Sequence, residues 1–191
     1  MRNNIKQQAI LLFQKKGFSE TSIQDIVEAV QATKGSFYYY FTSKESLLME
    51  IHMDYIENLL TEQRRLYEPT SQSAREKLTG TVVLLLTKIK EDGASARIFY
   101  REMRHLQESG YTHIAERRNQ FRRQIEEVIT EGIHNREFRQ NLNPALTTLA
   151  LLGITNWSYQ WFDPDGELSD RETAAYFVDL LLHGMLPKEH E

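Results

Sequence analysis

Apolar residues recur along this chain at intervals of three and four, and strict two-residue alternation is nearly absent. That spacing returns side chains to one face of a helix, so the pattern predicts helices almost throughout. Ile5, Ala9, Leu12 and Phe13 form the first stripe, and Gly17 stops it. Ser22 stands at an N-cap position ahead of a short second helix carrying Ile23, Ile26, Val27 and Val30. A tight connection, "QAT", leads into a third short helix that begins near Thr33 and ends at Phe41. Thr42 or Ser43 then caps a long helix with Glu45 in its first turn, running through Leu48, Ile51 and Tyr55 to about Leu66.

A loop containing Pro69 follows, and five more helices are expected over 71–91, 94–107, 109–136, 144–162 and 170–186. The predicted fold is all-α with about nine helices. A helix-turn-helix bundle of three helices would occupy 1–48, and a helical ligand-binding and dimerisation domain 49–191.

Composition narrows the setting. With 191 residues, 40% of them apolar, the chain is long enough to bury a real core. It has no cysteine, which removes disulfides and thiolate metal sites and fits a reducing compartment. The N-terminus "MRNNIKQQAILLF" has no signal-peptide pattern, and no apolar run approaches the roughly 18 residues of a membrane span. A cytoplasmic protein without membrane association is expected. The net charge of −4 argues against a general nucleic-acid coat, but residues 1–50 carry six basic against five acidic residues while the remainder is acidic. Any polyanion contact would therefore be confined to the head of the chain.

No catalytic constellation is present. The six histidines form no i, i+4 pair and no HExxH, and "DPDGELSDRE" lacks the spacing of a calcium loop. With no phosphate-binding glycine loop either, no enzyme activity, catalytic residue, metal or cofactor is expected.

"TKGSFYYYF" (Thr33–Phe41) carries the chemistry. On a helix Phe37 and Phe41 nearly superpose, Gly35 and Tyr39 lie opposite with Ser36 beside them, and Tyr38 and Tyr40 fall on the flanks. The phenylalanines are expected to be core and the three tyrosines to face outward. A phenol suits a phosphate oxygen or a thymine methyl edge, Gly35 permits close approach, and Lys34 adds a mobile positive charge. Lys44 and Ser22 stand at other helix starts that suit phosphates. The alternative is an aromatic surface for a protein partner.

"GFSETSIQDIVEAVQATKGSFYYYFTSKESLL" closely resembles the N-terminal signature of the TetR family of bacterial transcription regulators. The matching positions are Thr21–Ser22, Ile26–Val27, the run Lys34–Phe41, and Lys44–Glu45 with Leu47. Val27 replaces a usual small residue, and Val30–Gln31–Ala32 lacks the usual turn glycine, so Gln31 must accept that backbone geometry. The resemblance implies DNA contacts from Lys34, Gly35, Ser36, Tyr38, Tyr39 and Tyr40, and phosphate contacts from Ser22 and Lys44. It also implies a homodimeric repressor on a palindromic operator, with recognition helices about 34–36 Å apart. A small-molecule effector would bind the C-terminal helices.

In the body, Leu146, Leu149, Ala150, Gly153, Trp157 and Trp161 recur at helical spacing, as do Tyr176, Leu180, His183 and Gly184. Either these are ordinary core or Leu149, Gly153, Tyr176, Leu180 and His183 belong to a dimer interface. In "ARIFYREMRHLQ", Phe99 and Met103 share a face, while Arg97, Arg101 and Arg104 form an i, i+4, i+7 row. Such a row is either solvated or meets an anionic ligand. Residues 140–186 also resemble TetR-type regulators of fatty-acid and steroid catabolism. That resemblance implies an acyl-CoA effector, with Phe99, Trp157 and Trp161 lining an acyl channel and Arg101 and Arg104 on the phosphates. A multidrug-type sensor controlling an efflux pump is the other reading within the family.

Overall fold

Helix α1 (Arg2–Lys16) buries Ile5, Ala9, Ile10 and Phe13, the stripe its periodicity predicts with Ile10 added and Leu12 only partly covered. The computed structural model describes residues 1–68, 72–106, 108–163 and 165–183, so the predicted helix ends at 71 and 184–186, with Pro69, Gln107, Pro164 and Gly184, lie outside the described residues. Gly17 ends α1 at a φ of 84°, a conformation that costs glycine nothing. Its carbonyl accepts the Thr21 hydroxyl at 2.8 Å, which fixes the turn into α2 (Ile23–Ala29).

Ser22 caps α2 through a reciprocal box with Asp25, each side chain bonding the other's backbone N–H. The turn after α2 closes by two bonds, Gln31 N–H to the Glu28 carbonyl at 3.1 Å and Ala32 N–H to the Val27 carbonyl at 2.8 Å. This is a Schellman closure, and it places Gln31 at a φ of 53° where the family pattern has glycine. Helix α3 (Lys34–Tyr40) follows, capped by the Thr33 hydroxyl on the Ser36 N–H.

Helix α4 (Lys44–Tyr67) opens on a reciprocal bond pair between Ser43 and Ser46, which makes Ser43 the cap. Two cations of α1 clamp it: Arg2 pairs with Glu50, and Lys6 with Glu50 at 3.1 Å and with Asp54. Helices α5 (Ala74–Glu91), α6 (Gly93–Arg101), α7 (Glu108–His134), α8 (Pro144–Trp157) and α9 (Asp170–His183) complete nine helices among the described residues, with no strand. The all-α expectation therefore holds.

Two compact units divide the chain, and they do not follow chain order. The first combines Met1–Asn58 with Asp92–Arg118. Its core joins Ile5, Phe13, Ile26, Phe37, Leu47 and Leu48 to Ile98 of α6. The second combines Leu59–Glu91 with the chain from Asn119 onward. There Lys77 of α5 meets Glu131 of α7 at 2.9 Å, and Asp170 at the start of α9 takes Thr87 at 3.0 Å and Lys90 at 3.2 Å. Phe138 folds back over Gly132, where an added Cβ would stand 2.3 Å from the ring.

Candidate nucleic-acid interface and effector region

The periodicity argument for α3 holds at its centre. Phe37 is 0% exposed and Phe41 is buried beside it, with ring centroids 5.6 Å apart. These two side chains pin α3 to the bundle core. The opposite side is open: Lys34 and Gly35 are exposed, Tyr38 is mostly exposed, and Tyr39 is 79% exposed. A Cβ on Gly35 would meet nothing closer than the Thr33 hydroxyl at 3.5 Å, so the outer surface at this point is bare backbone. Ser36 is half-buried, and its hydroxyl shares a 3.1 Å bond with Thr33.

Tyr40 departs from the expectation. It is half-buried and packs against the core cluster, with its ring set edge-on to Tyr39 at 4.9 Å. The outward aromatic face therefore consists of Tyr38 and Tyr39, and Tyr40 braces the second of them. The cause is that its flank of α3 adjoins the bundle rather than solvent.

The two positions expected to hold phosphates both make bonds within the bundle. The Ser22 hydroxyl donates to the Asp25 carboxylate at 2.8 Å. Asp25 stays ionised there, since the Lys16 ammonium at 2.9 Å and the Ser22 N–H and O–H hold its carboxyl down at about 2. Lys44 spends two of its three N–H groups on the Phe18 and Thr21 carbonyls, both at 2.7 Å, and sits 4.3 Å over the Phe18 ring. It ties the start of α4 to the turn between α1 and α2, a structural task that leaves one donor.

The arginine row of the body is broken. Helix α6 ends at Arg101 with Glu102 as its C-cap, and a 3-10 turn (Met103–His105) carries Arg104. Arg101 and Arg104 are both exposed, but they are not successive positions of one helix face. Glu102 is buried, and it meets His105 at 3.3 Å. Phe99 is buried among His52 and Tyr55 of α4 and Tyr100, at centroid distances of 5.6, 4.8 and 5.3 Å, with Arg118 of α7 lying 5.5 Å over its ring.

His52 was not singled out from the sequence, although it falls four residues after Leu48 on the apolar stripe of α4. It is 0% exposed, its Nδ1 bonds the Leu48 carbonyl at 2.9 Å, and its Nε2 has no protein partner. Burial pushes its pKa down to about 4, with the positive charge of Arg118 acting in the same direction, so the ring is neutral at pH 7.

In the second unit, α8 turns Leu146, Leu149, Ala150, Gly153 and Trp157 outward as one stripe, with Trp157 63% exposed. A Cβ on Gly153 would meet nothing within 4 Å. On α9, Tyr176 is 69% exposed, Leu180 is half-buried, and His183 is exposed and bonded to Asp179 at 2.8 Å. Trp161 is exposed and stacks edge-on against Phe177 at 6.1 Å. Of the residues expected to line an acyl channel, Phe99 belongs to the first unit and Trp157 and Trp161 to the second; Arg101 and Arg104, expected on the phosphates, belong to the first.

Comparison with known proteins divides the chain in sequence order instead. Residues 5–51 match the family model for bacterial regulatory proteins of the tetR family, and residues 71–185 match that of the tetracyclin repressor-like C-terminal domain. The HTH-type transcriptional repressor KstR2 of Mycolicibacterium smegmatis is 26% identical over 185 residues, covering 96% of this chain and 90% of that one. The crystal structure of the regulator PfmR from Thermus thermophilus superposes with a TM-score of 0.89 at 26% identity, covering 96% and 99% of the two chains. A structure of AibR in complex with isovaleryl coenzyme A and operator DNA superposes with a TM-score of 0.83 at 25% identity, covering 95% and 97%. Among the described residues no helix is long and apolar enough to cross a membrane, and no cluster of three or more potential metal ligands occurs.

Proposed function

The chain belongs to the tetR family of bacterial regulatory proteins, and from that premise we propose that it represses transcription as a homodimer, with α3 in the major groove of a palindromic operator until a small hydrophobic effector releases it. It acts in the cytoplasm by binding rather than by catalysis, and needs no cofactor. DNA recognition belongs to residues 1–48, and effector binding and dimerisation to 49–191.

The observation that carries this reading is the division of α3 into two faces. Phe37 and Phe41 hold the helix to the bundle, which leaves Lys34, Gly35, Tyr38 and Tyr39 outward on a rigid mount. Bare backbone at Gly35 allows close approach to the duplex, and two phenols beside it offer flat apolar area with a hydroxyl for bases or phosphates. Ser36 and Tyr40 contribute from the edge of that face. Ser22 and Lys44 act by holding the frame rather than by neutralising phosphates. The outward stripe of α8 and the exposed face of α9, at Leu149, Gly153, Tyr176, Leu180 and His183, form the dimer interface.

For the effector we assign the acyl-CoA class, which the coenzyme A and operator complex of AibR supports. In the first unit Phe99 is covered by its aromatic neighbours while Arg101 and Arg104 are exposed, and in the second unit Trp157 and Trp161 are exposed. The effector must bind the DNA-incompetent form more tightly in order to act. Titrating the protein–DNA complex with acyl-CoAs of increasing chain length, followed by fluorescence anisotropy, tests this. Release at micromolar ligand is expected. DNA that stays bound throughout the series would refute the effector class and leave the DNA-binding reading intact.

A further inference from the structure

Residues 23–40, which form α2, its turn and α3, carry three charged side chains: Asp25, Glu28 and Lys34. Two carboxylates against one ammonium leave this segment with a net charge of −1. With α3 in the major groove, the helix before it crosses the sugar-phosphate backbone. That backbone carries one negative charge per roughly 1.7 Å of duplex axis. Helix α2 has both carboxylates and no cation of its own to set against it. A positive charge from outside the segment has to compensate.

The other cations of the bundle differ in where their bonds hold them. Arg2 and Lys6 face Glu50 and Asp54 of α4, and Lys44 faces the Phe18 and Thr21 carbonyls. Lys16, the last residue of α1, is the one held against α2: its ammonium stands 2.9 Å from the Asp25 carboxylate. The same carboxylate oxygen accepts the Ser22 N–H at 2.7 Å and the Ser22 O–H at 2.8 Å, so the anchor is itself fixed to the α2 cap. Lys16 remains exposed, and Asp25 takes one of its three N–H donors. An ammonium tethered at one point beside an anionic helix, with two donors toward solvent, is prepared for an anion from outside.

We infer that Lys16 contacts a phosphate of the operator backbone where α2 crosses it, and that Asp25 is the positioning residue that holds the ammonium there. The contact comes from α1, outside the recognition helix, and is indifferent to base sequence. It offsets the charge of Asp25 and Glu28, which would otherwise face the backbone uncompensated. The inference rests on the DNA-binding reading, and its test tells the two apart.

The test is fluorescence anisotropy of the full-length chain on a palindromic duplex selected by the wild-type protein, between about 50 and 200 mM salt. Lys16→Gln should weaken binding about fivefold or more and lower the slope of log affinity against log salt by about one per protomer. Lys16→Arg should keep both, because a guanidinium can hold the carboxylate and the phosphate together. Asp25→Ala breaks the same ion pair from the other side and leaves the cation in place, so the slope should not fall. Lys15→Gln removes an equal charge one residue away and should lower the slope by clearly less. Circular dichroism melts check that each variant is folded at the assay temperature. The inference is overturned if Lys16→Gln keeps the wild-type slope, or if Asp25→Ala or Lys15→Gln lowers it as much as Lys16→Gln does. A wild-type chain that binds no duplex overturns the DNA-binding reading as well, whereas salt-dependent wild-type binding with an unchanged Lys16→Gln slope overturns this inference alone.

Discussion

The ammonium of Lys44 stands 2.7 Å from the carbonyl oxygen of Phe18 and 4.3 Å from the centre of the Phe18 ring. One side chain at the start of α4 thus satisfies a loop carbonyl 26 residues earlier and covers an aromatic ring of the bundle core. Replacing it removes two charge-assisted bonds and leaves two carbonyls to find water. Lys44→Met should therefore cost about 2 kcal/mol of stability in urea unfolding followed by circular dichroism. Its DNA binding, measured where the variant is folded, should keep the wild-type salt slope. A slope reduced by about one would instead mean that Lys44 neutralises a phosphate.

The interface assigned to α8 and α9 predicts a monomer on disruption. Leu149 lies in the centre of the outward α8 stripe, between Leu146 and Gly153, where an aspartate would meet only apolar neighbours. Leu149→Asp should shift sedimentation from dimer to monomer with little loss of helix content, because the side chain contributes little to the chain's own core. It should also weaken operator binding, since half-sites are then engaged singly rather than together. A variant that remains dimeric would place the interface elsewhere.

His52 makes stability depend on pH in a definite direction. The unfolded chain takes up a proton as pH falls through the ordinary 6.5, while the buried ring resists until about 4. Stability is therefore complete above pH 6.5 and is lost between 6.5 and 4, by about 3 kcal/mol in all. His52→Leu removes that proton uptake and also the unpartnered Nε2. Urea unfolding at pH 7 and pH 4.5 should show the variant losing markedly less stability than the parent. Equal losses would mean that the ring is solvated in the folded protein.

Gly132 tests the packing of α7 against Phe138 and α5. An alanine there gains up to about 1 kcal/mol in helix propensity, yet its Cβ would stand 2.3 Å from the Phe138 ring and 2.8 Å from Ala74 Cβ. Phe138 cannot easily swing away, because its own N–H is bonded to the Gly132 carbonyl at 3.0 Å. The clash outweighs the propensity, so Gly132→Ala should lower stability by about 1–2 kcal/mol. Adding Phe138→Leu should restore part of that loss in the same thermal melts.

What the sequence made legible follows from how local each signal is. The opposition of Phe37 to Gly35 and Tyr39 depends only on helical periodicity, and it survives intact. Gln31 was marked by the missing glycine, and its positive φ is the consequence. Features decided by distant partners were not legible. Nothing near Lys44 in sequence reveals that the Phe18 and Thr21 carbonyls converge on it. Tyr40 looked exposed because its flank of α3 is covered only once the bundle assembles. The row Arg97–Arg101–Arg104 looked continuous because no glycine or proline marks the end of α6 at Arg101.

The claim that α3 reads DNA through its outer face is tested most directly by the salt dependence of binding. A duplex selected from a random library by the dimer, titrated by fluorescence anisotropy between about 50 and 200 mM salt, should bind less tightly as salt rises. Lys34→Ala should lower the slope of log affinity against log salt by about one per protomer, and Tyr39→Ala should weaken binding with the slope unchanged. A selection that enriches no palindrome, or an affinity indifferent to salt and to both substitutions, would contradict the account.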